Sequence, residues 1–354
     1  MVDTLNIDIR RTANSRIKEV DFANIPFGKV YADHMFVADY DGKQWTNLRI
    51  QPYEYLRLSP ANSALHYGQS VFEGMKAYKN EEGEVLIFRP EANFQRLNKS
   101  AERMCIPTLP EDIFMSGLTE LLKLDKDWVP STPNTALYIR PFIFATDEYI
   151  GIRASETYKF IIFTCPVGSY YSEPVRVKIE TKYSRAVEGG TGAAKAAGNY
   201  AASLFPARKA QQAGYHQLVW TDARSHQYIE ESGTMNVMFL IGDTLITSPI
   251  SDTILSGITR NSVLTLAREW GYKIEERKVS VKEVIEAIEN GTLKEAFGTG
   301  TAATIAHIAL IGHEDKDYEL PPIEGRELSN RVLKTLDAIK TGRAEDKWNW
   351  VYKL

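Results

Sequence analysis

Between Lys29 and Cys165 five apolar runs have strand character, and only two stretches of helical spacing break into them. The runs are KVYADHMFVADYDG, EYLRL, EVLIF, ALYIRPFIFAT and YKFIIFTC, separated by turn-forming residues. In RPEANFQRLNKSAERM, Phe94, Leu97, Ala101 and Met104 recur near the helical period, and Pro90 suits a first helical turn. In EDIFMSGLTELLKL, Ile113, Phe114, Leu118, Leu121 and Leu122 form a second apolar stripe. A doubly wound parallel sheet needs strands and helices in regular alternation. This order lacks it, which predicts an α+β fold.

With 354 residues the chain exceeds one simple core, so two domains are expected. The stretch CPVGSYYSEP, residues 165–174, gathers Gly, Ser and Pro without periodicity and marks the boundary. The expected division is 1–167, a connecting loop 168–177, and 178–354. Beyond it come the run QLVW and the hairpin pattern NVMFLIGDTLIT with a Gly-Asp turn. The helical pattern TRNSVLTLAREW ends at Gly271, and another opens on the capping box Ser280–Glu283 and stops at Gly291. A last amphipathic helix spans Glu327 to Lys340, with Leu328, Val332, Leu336 and Ile339 on one face.

Net charge of −4 and a pI near 6.0 argue against a nucleic-acid or membrane-surface partner, since both favour a basic face. No apolar run approaches membrane-spanning length, and the start MVDTLNIDIRRTANS has no signal-peptide core. Cys105 and Cys165 are far apart, and the six histidines show no paired ligand spacing. The expectation is a cytoplasmic, reduced protein without a metal.

The chemistry gathers around GGTGAAKAAGNYAA, residues 189–202, where four Gly and six Ala surround Lys195. Small neighbours let a large flat ligand approach both backbone and amine; the alternative is a flexible loop with an incidental charge. Two segments read as anion sites. LSGITRNSVLTL places Gly257 before a helical first turn, so the amides near Ile258 and Thr259 point outward. FGTGTAATIA offers Gly298, Thr299, Gly300 and Thr301 as a second small-residue turn. Neither matches a P-loop or a dinucleotide fingerprint. Arg96 is a candidate third cation for a phosphate dianion, although a lone arginine on a helix reads as a solvated surface charge.

GGTGAAKAAGNY, EESGTMN, LSGITR and GTGTAA in this order resemble the fold-type IV pyridoxal-phosphate enzymes, above all the branched-chain amino-acid aminotransferases. The resemblance also takes in FGKVYADHM, LHYGQSVFEGMKAY, FRPEANFQRL, ALYIRP and the tail DKWNWVYKL. It implies a smaller N-terminal α/β domain and a larger C-terminal domain with a β-barrel-like core. It also implies pyridoxal 5′-phosphate held by Lys195 as an internal aldimine, with Lys195 then carrying a proton between the substrate α-carbon and the cofactor's C4′. A desolvated pocket of small residues favours the neutral amine this needs.

By the same resemblance Glu231 partners the pyridine nitrogen. Glu230 is next door, and charge alone does not choose between them. Tyr200 meets the phenolic oxygen, and Arg96, Ile258, Thr259 and Thr301 hold the phosphate. The period of two puts Tyr138 and Arg140 on one face of their strand. Arg140 then receives the second carboxylate of glutamate or 2-oxoglutarate; on residues alone, an ion pair with a structural acid is the preferred reading. Phe27, Tyr67, Phe72, Tyr138 and Thr234 face the side chain of leucine, isoleucine or valine, and the amides near Thr301, Ala302 and Ala303 take the α-carboxylate. The segment DEYIGI implies that Ile150 and Ile152, with Tyr67, complete the pocket of a partner subunit, hence at least a homodimer. The alternative for both isoleucines is plain core burial.

The expected activity is ping-pong transamination between branched-chain L-amino acids and 2-oxoglutarate. One departure from some animal members is visible: TAATIAHI lacks their C-x-x-C pair. Aminodeoxychorismate lyase and D-amino-acid aminotransferase share the fold and the lysine, and a degenerate phosphate-ligand binding protein is a third reading. FEGMKAY, ALYIRP and ESGTMN favour the first.

Overall fold

The structure, a computed structural model, describes residues 5–22, 24–168, 170–171 and 173–354. The reading of the first four residues, and of positions 169 and 172 in the boundary stretch, lies outside the described residues. The chain forms two compact units, one of residues up to 170 with 194–198 and 338–354, the other of 171–193 and 199–337. The expected division at 168–177 therefore differs in one respect: the segment around Lys195 and the C-terminal tail return to the first unit, which is the larger. The tail returns because its last strand, Val351–Lys353, pairs antiparallel with Val85–Phe88.

The first unit is built on a nine-stranded sheet. Ala136–Ala145 lies in its middle, pairing with Tyr158–Val167 on one side and with Met75–Lys79 and Ser70–Phe72 on the other. Alternation sends Leu137, Ile139 and Ile143 into the core beside Met75 and Ala77. Helices Pro90–Arg103 and Glu111–Leu124 contribute Leu97, Ala101, Phe114, Leu118 and Leu121, all fully buried in that core. Gly117 lets the Phe36 ring approach the helix backbone, since a β-carbon there would stand 2.6 Å from the ring.

One expected strand is missing. EYLRL, residues 54–58, is irregular chain with Tyr55, Leu56 and Leu58 exposed. The preceding strand ends at Pro52, and an alternating run with no sheet edge to pair with does not become a strand.

In the second unit Met235–Ile241, Leu293–Gly300, Thr304–His313, Val175–Ile179, Gln217–Thr221 and Tyr228–Ser232 pair in succession, and the last pairs back onto the first. Six strands thus close into a barrel, as the resemblance implied. Its core holds Val177, Ile179, Val219, Val237, Phe239, Ala296 and Ile308. The Gly-Asp hairpin forms as expected, with Gly242 at φ +61° in the left-handed region that a tight turn requires. The Ser280 hydroxyl accepts the Glu283 amide at 3.0 Å, but the Glu283 carboxylate pairs with Arg277 at 2.5 and 2.9 Å, so half of the capping box forms. Helix Ala197–Gln212 carried no apolar stripe in the sequence. Among the described residues no helix is long and apolar enough to cross a membrane.

Candidate active site

Lys195 is fixed at its backbone. Its amide donates to the Ser100 hydroxyl at 2.9 Å, and its carbonyl accepts the Phe72 amide at 3.0 Å. Ala194 and Ala196 on either side are buried in the core of the first unit, so the small residues flush the chain against that core. The Lys195 ammonium lies 4.7 Å from the centroid of the Phe72 ring.

Arg96 is not the solvated charge that it would be alone on a helix. It is 9% exposed and forks onto fully buried Glu73, Nε to Oε1 at 2.7 Å and Nη2 to Oε2 at 2.9 Å. The geometry is that of a bidentate arginine–carboxylate pair, which fixes the guanidinium in direction as well as place.

Tyr138 and Arg140 share one face of their strand. Arg140 donates to the Tyr138 hydroxyl at 2.9 Å and lies over two rings, 4.7 Å from Phe72 and 5.3 Å from Tyr138. Among the described residues no carboxylate pairs with it, and its buried Nε has no acceptor. Within the described residues Arg140 is therefore held by a hydroxyl and two rings, not by a structural acid. Phe27 meets Tyr138 edge-on at 5.4 Å. Gly74 makes room for the tyrosine: a β-carbon there would stand 2.1 Å from its hydroxyl oxygen.

Sequence reasoning passed over Glu73 and Lys76. Lys76 is the cross-strand partner of Tyr138, which puts both on the same side of the sheet, and burial pushes its ammonium down to about 8. Alternation within GMKAY, with Met75 and Ala77 in the core, was the available signal.

Tyr67 donates its hydroxyl to the Ile150 carbonyl and so braces the loop 147–155. Asp147 accepts the amides of Glu156 and Thr157 and pairs with Arg153, whose guanidinium lies 4.7 Å from the Tyr149 ring centroid. At the tip Ile150 is 67% and Ile152 92% exposed, so core burial is not their role.

The second unit holds the remaining candidates. Glu231 is 3% exposed; its Oε1 accepts the Leu255 amide at 2.7 Å and the Asn236 side chain at 3.3 Å, and Arg185 stands 3.1 Å from its Oε2. Glu230 projects to the other side of the strand. Its Oε1 accepts the Thr253 hydroxyl at 2.6 Å and its buried Oε2 has no partner. Burial holds the Glu230 carboxyl above its ordinary range. The structure thus separates two acids that charge could not: one is paired with a cation, the other is not.

Asn199, in the first turn of the helix that carries Tyr200, is tied to Thr191 of the glycine run by two hydrogen bonds of 2.7 and 2.8 Å. Tyr200 itself is half-buried. Ile258 and Thr259 open helix Ile258–Glu269, where Gly257 stands at the cap position and no side chain caps the helix. A β-carbon on Gly257 would lie 1.9 Å from the Asn236 amide oxygen, so only glycine fits. Gly298 and Gly300 lie within a strand against Met235 rather than in the turn, which is confined to Thr301, Ala302 and Ala303. Thr234 is exposed in the turn that joins the Glu231 strand to its neighbour.

The model of the class IV amino-transferases matches residues 70–311. The chain belongs to the class IV aminotransferase family. Branched-chain-amino-acid aminotransferase 2 of Bacillus subtilis (strain 168) is 44% identical over 355 aligned positions, covering 99% of this chain and 97% of that one. The branched-chain aminotransferase of Thermoproteus uzoniensis, solved with norvaline, superposes with a TM-score of 0.74 at 25% identity, over 90% of this chain and 99% of that one. The Escherichia coli branched-chain amino acid aminotransferase gives 0.71 at 26%, over 90% and 98%. Family members are thus alike across the whole length, both in sequence and in the sheet-plus-barrel fold.

Proposed function

We propose that this chain is a branched-chain-amino-acid transaminase that exchanges amino groups between leucine, isoleucine or valine and 2-oxoglutarate with pyridoxal 5′-phosphate as cofactor. The observation that carries the substrate side is Arg140, a guanidinium on an aromatic wall, with a buried Nε that finds no acceptor among the described residues. A half-buried guanidinium with an unsatisfied buried nitrogen is costly until an anion meets it. The same wall of Phe27, Phe72 and Tyr138 suits an aliphatic side chain. One site can then take a branched-chain amino acid and a dicarboxylate in turn.

The residues fit the cofactor. Thr299 Oγ1 is a buried polar atom without a partner among the described residues, Gly257 places no capping side chain at the start of its helix, and Glu231 is a buried carboxylate held beside a cation. Bound pyridoxal phosphate supplies the electron sink for a carbanion at the substrate α-carbon. Lys195 holds it through its ε-amine and moves a proton between that α-carbon and the cofactor's C4′. Glu231 keeps the pyridine nitrogen protonated, and Tyr200 hydrogen-bonds the phenolic oxygen. Arg96, aimed by Glu73, binds the phosphate with Ile258, Thr259 and Thr301. The turn Thr301–Ala303 takes the α-carboxylate, while Thr234 borders the side chain. Discrimination among the three amino acids is modest, since one methylene is worth about 1–3 kcal/mol in an apolar pocket.

The working form is at least a homodimer, in which Tyr67, Ile150 and Ile152 complete the partner's pocket; the exposed apolar tip on a braced loop supports this. Both cysteines are free thiols, which fits a cytoplasmic setting. The test is spectroscopic. Leucine added to the yellow protein bleaches its visible band and 2-oxoglutarate restores it. Bleaching by D-alanine, or pyruvate release from aminodeoxychorismate, with none on leucine, would assign another reaction.

A further inference from the structure

Arg185 precedes the glycine run in sequence, and the fold gives it three acceptors at once. Its Nη2 stands 2.5 Å from the Thr253 carbonyl, 3.3 Å from the Gly192 carbonyl and 3.1 Å from Glu231 Oε2. The guanidinium is buried, and its Nε has no acceptor. The surroundings are built to hold this junction. Gly192 touches the loop 251–255 so closely that a β-carbon would lie 2.7 Å from Thr253 Cα and 2.8 Å from the Asp252 oxygen. The Asp252 carbonyl accepts the Ala193 amide at 2.7 Å, and its carboxylate accepts the Gly189 amide at 3.0 Å. From the same loop the Leu255 amide reaches Glu231 and the Thr253 hydroxyl reaches Glu230. The glycine run and the carboxylate are far apart in sequence; Arg185 is the side chain that bonds to both.

We propose that Arg185 is a positioning residue, which ties the glycine run leading into Lys195 to Glu231 and holds a cation against that carboxylate, fixing it in direction. The charges near the junction make this demanding. Glu231 and Asp222 both act on Glu230 there, and Arg185 offsets them. Of the two buried neighbouring acids, Glu231 is the one in contact with the guanidinium, while burial holds the Glu230 carboxyl above its ordinary range. The glycines of the run have a second purpose in this arrangement: they let the backbone carbonyl of Gly192 reach the guanidinium.

This inference rests on the reading that Glu231 meets the cofactor's pyridine nitrogen, and the experiment separates the two. Arg185→Lys, Arg185→Gln and Glu231→Gln are prepared as holoenzymes. Pyridoxal phosphate affinity is measured by absorbance titration, and the leucine half-reaction is followed against pH. For Arg185→Gln the acid limb of the half-reaction moves up by about 1–3 pH units, because the carboxylate loses its neighbouring cation. Cofactor affinity falls about tenfold. Arg185→Lys keeps the charge without the reach and lies between wild type and Arg185→Gln on both measures, a graded rescue that a purely structural role does not give. If Arg185→Gln does not fold, Arg185→Lys decides alone: a limb and an affinity equal to wild type overturn the proposal. Impairment of Glu231→Gln with both Arg185 variants unchanged sinks the role of Arg185 and leaves the function standing. An unimpaired Glu231→Gln sinks the reading beneath it.

Discussion

Replacing Arg140 with methionine separates the substrate account from a structural one, because stability and substrate affinity respond differently. The substitution removes one hydrogen bond, to Tyr138 at 2.9 Å, worth about 1 kcal/mol. It also removes cation–π contacts with Phe72 and Tyr138, worth about 0.5–1 kcal/mol. Against this it relieves a buried Nε that has no acceptor, a penalty of about 1–3 kcal/mol. These terms offset to within about 1 kcal/mol, so the melting temperature moves by no more than about 4 °C. Recognition of the dicarboxylate has no such compensation. Losing charge-assisted hydrogen bonds of about 1.5–3 kcal/mol raises the KM for 2-oxoglutarate by about 10- to 150-fold. The leucine half-reaction, which needs no second carboxylate, stays within about threefold of wild type. The assays are single-turnover spectra with each substrate and a thermal melt. Equal losses for leucine and 2-oxoglutarate, or a melt lowered by ten degrees, would refute the reasoning.

Two further outcomes follow from the same geometry. Gly74→Ala drives a β-carbon to within 2.1 Å of the Tyr138 hydroxyl, so the ring shifts, Arg140 loses its partner, and stability falls by about 1–3 kcal/mol with a raised KM for 2-oxoglutarate; a wild-type melt and KM would show that the tyrosine is not held there. Glu230→Gln tests the buried acid through pH. The folded Glu230 holds its proton above its ordinary value of 4.5, whereas the unfolded chain releases it there, so wild-type stability declines as pH rises from that point toward the folded value. The Gln variant lacks this decline, and its advantage over wild type grows by up to about 1.4 kcal/mol per pH unit across the window; a gap that does not change with pH contradicts the assignment.

Local pattern made much of this molecule legible. The strand Ala136–Ala145, helices Pro90–Arg103 and Glu111–Leu124, and the Gly-Asp hairpin all follow from period and turn chemistry. EYLRL misled because its alternation is real while the sheet edge it would need is not beside it; pairing is decided by distant residues. Helix Ala197–Gln212 hid because alanine and glycine spread evenly around it leave no stripe, and Pro206 within it reads as a breaker. Of the site, Lys195 stood out through its small neighbours, and Tyr138 and Arg140 through their spacing. Glu73 and Arg185 did not stand out, since each acts through a contact with a residue far along the chain: Arg96 for one, Glu231 for the other. The choice between Glu230 and Glu231 was closed to charge counting because it depends on which face of a closed barrel strand meets a guanidinium.

The most direct measurement reduces the holoenzyme with borohydride and maps the labelled peptide. The account predicts a single phosphopyridoxyl adduct on Lys195, formed as the visible band disappears. An adduct on Lys76, the other lysine placed on this face and with an ammonium pushed down to about 8, or no adduct on any lysine, would contradict it.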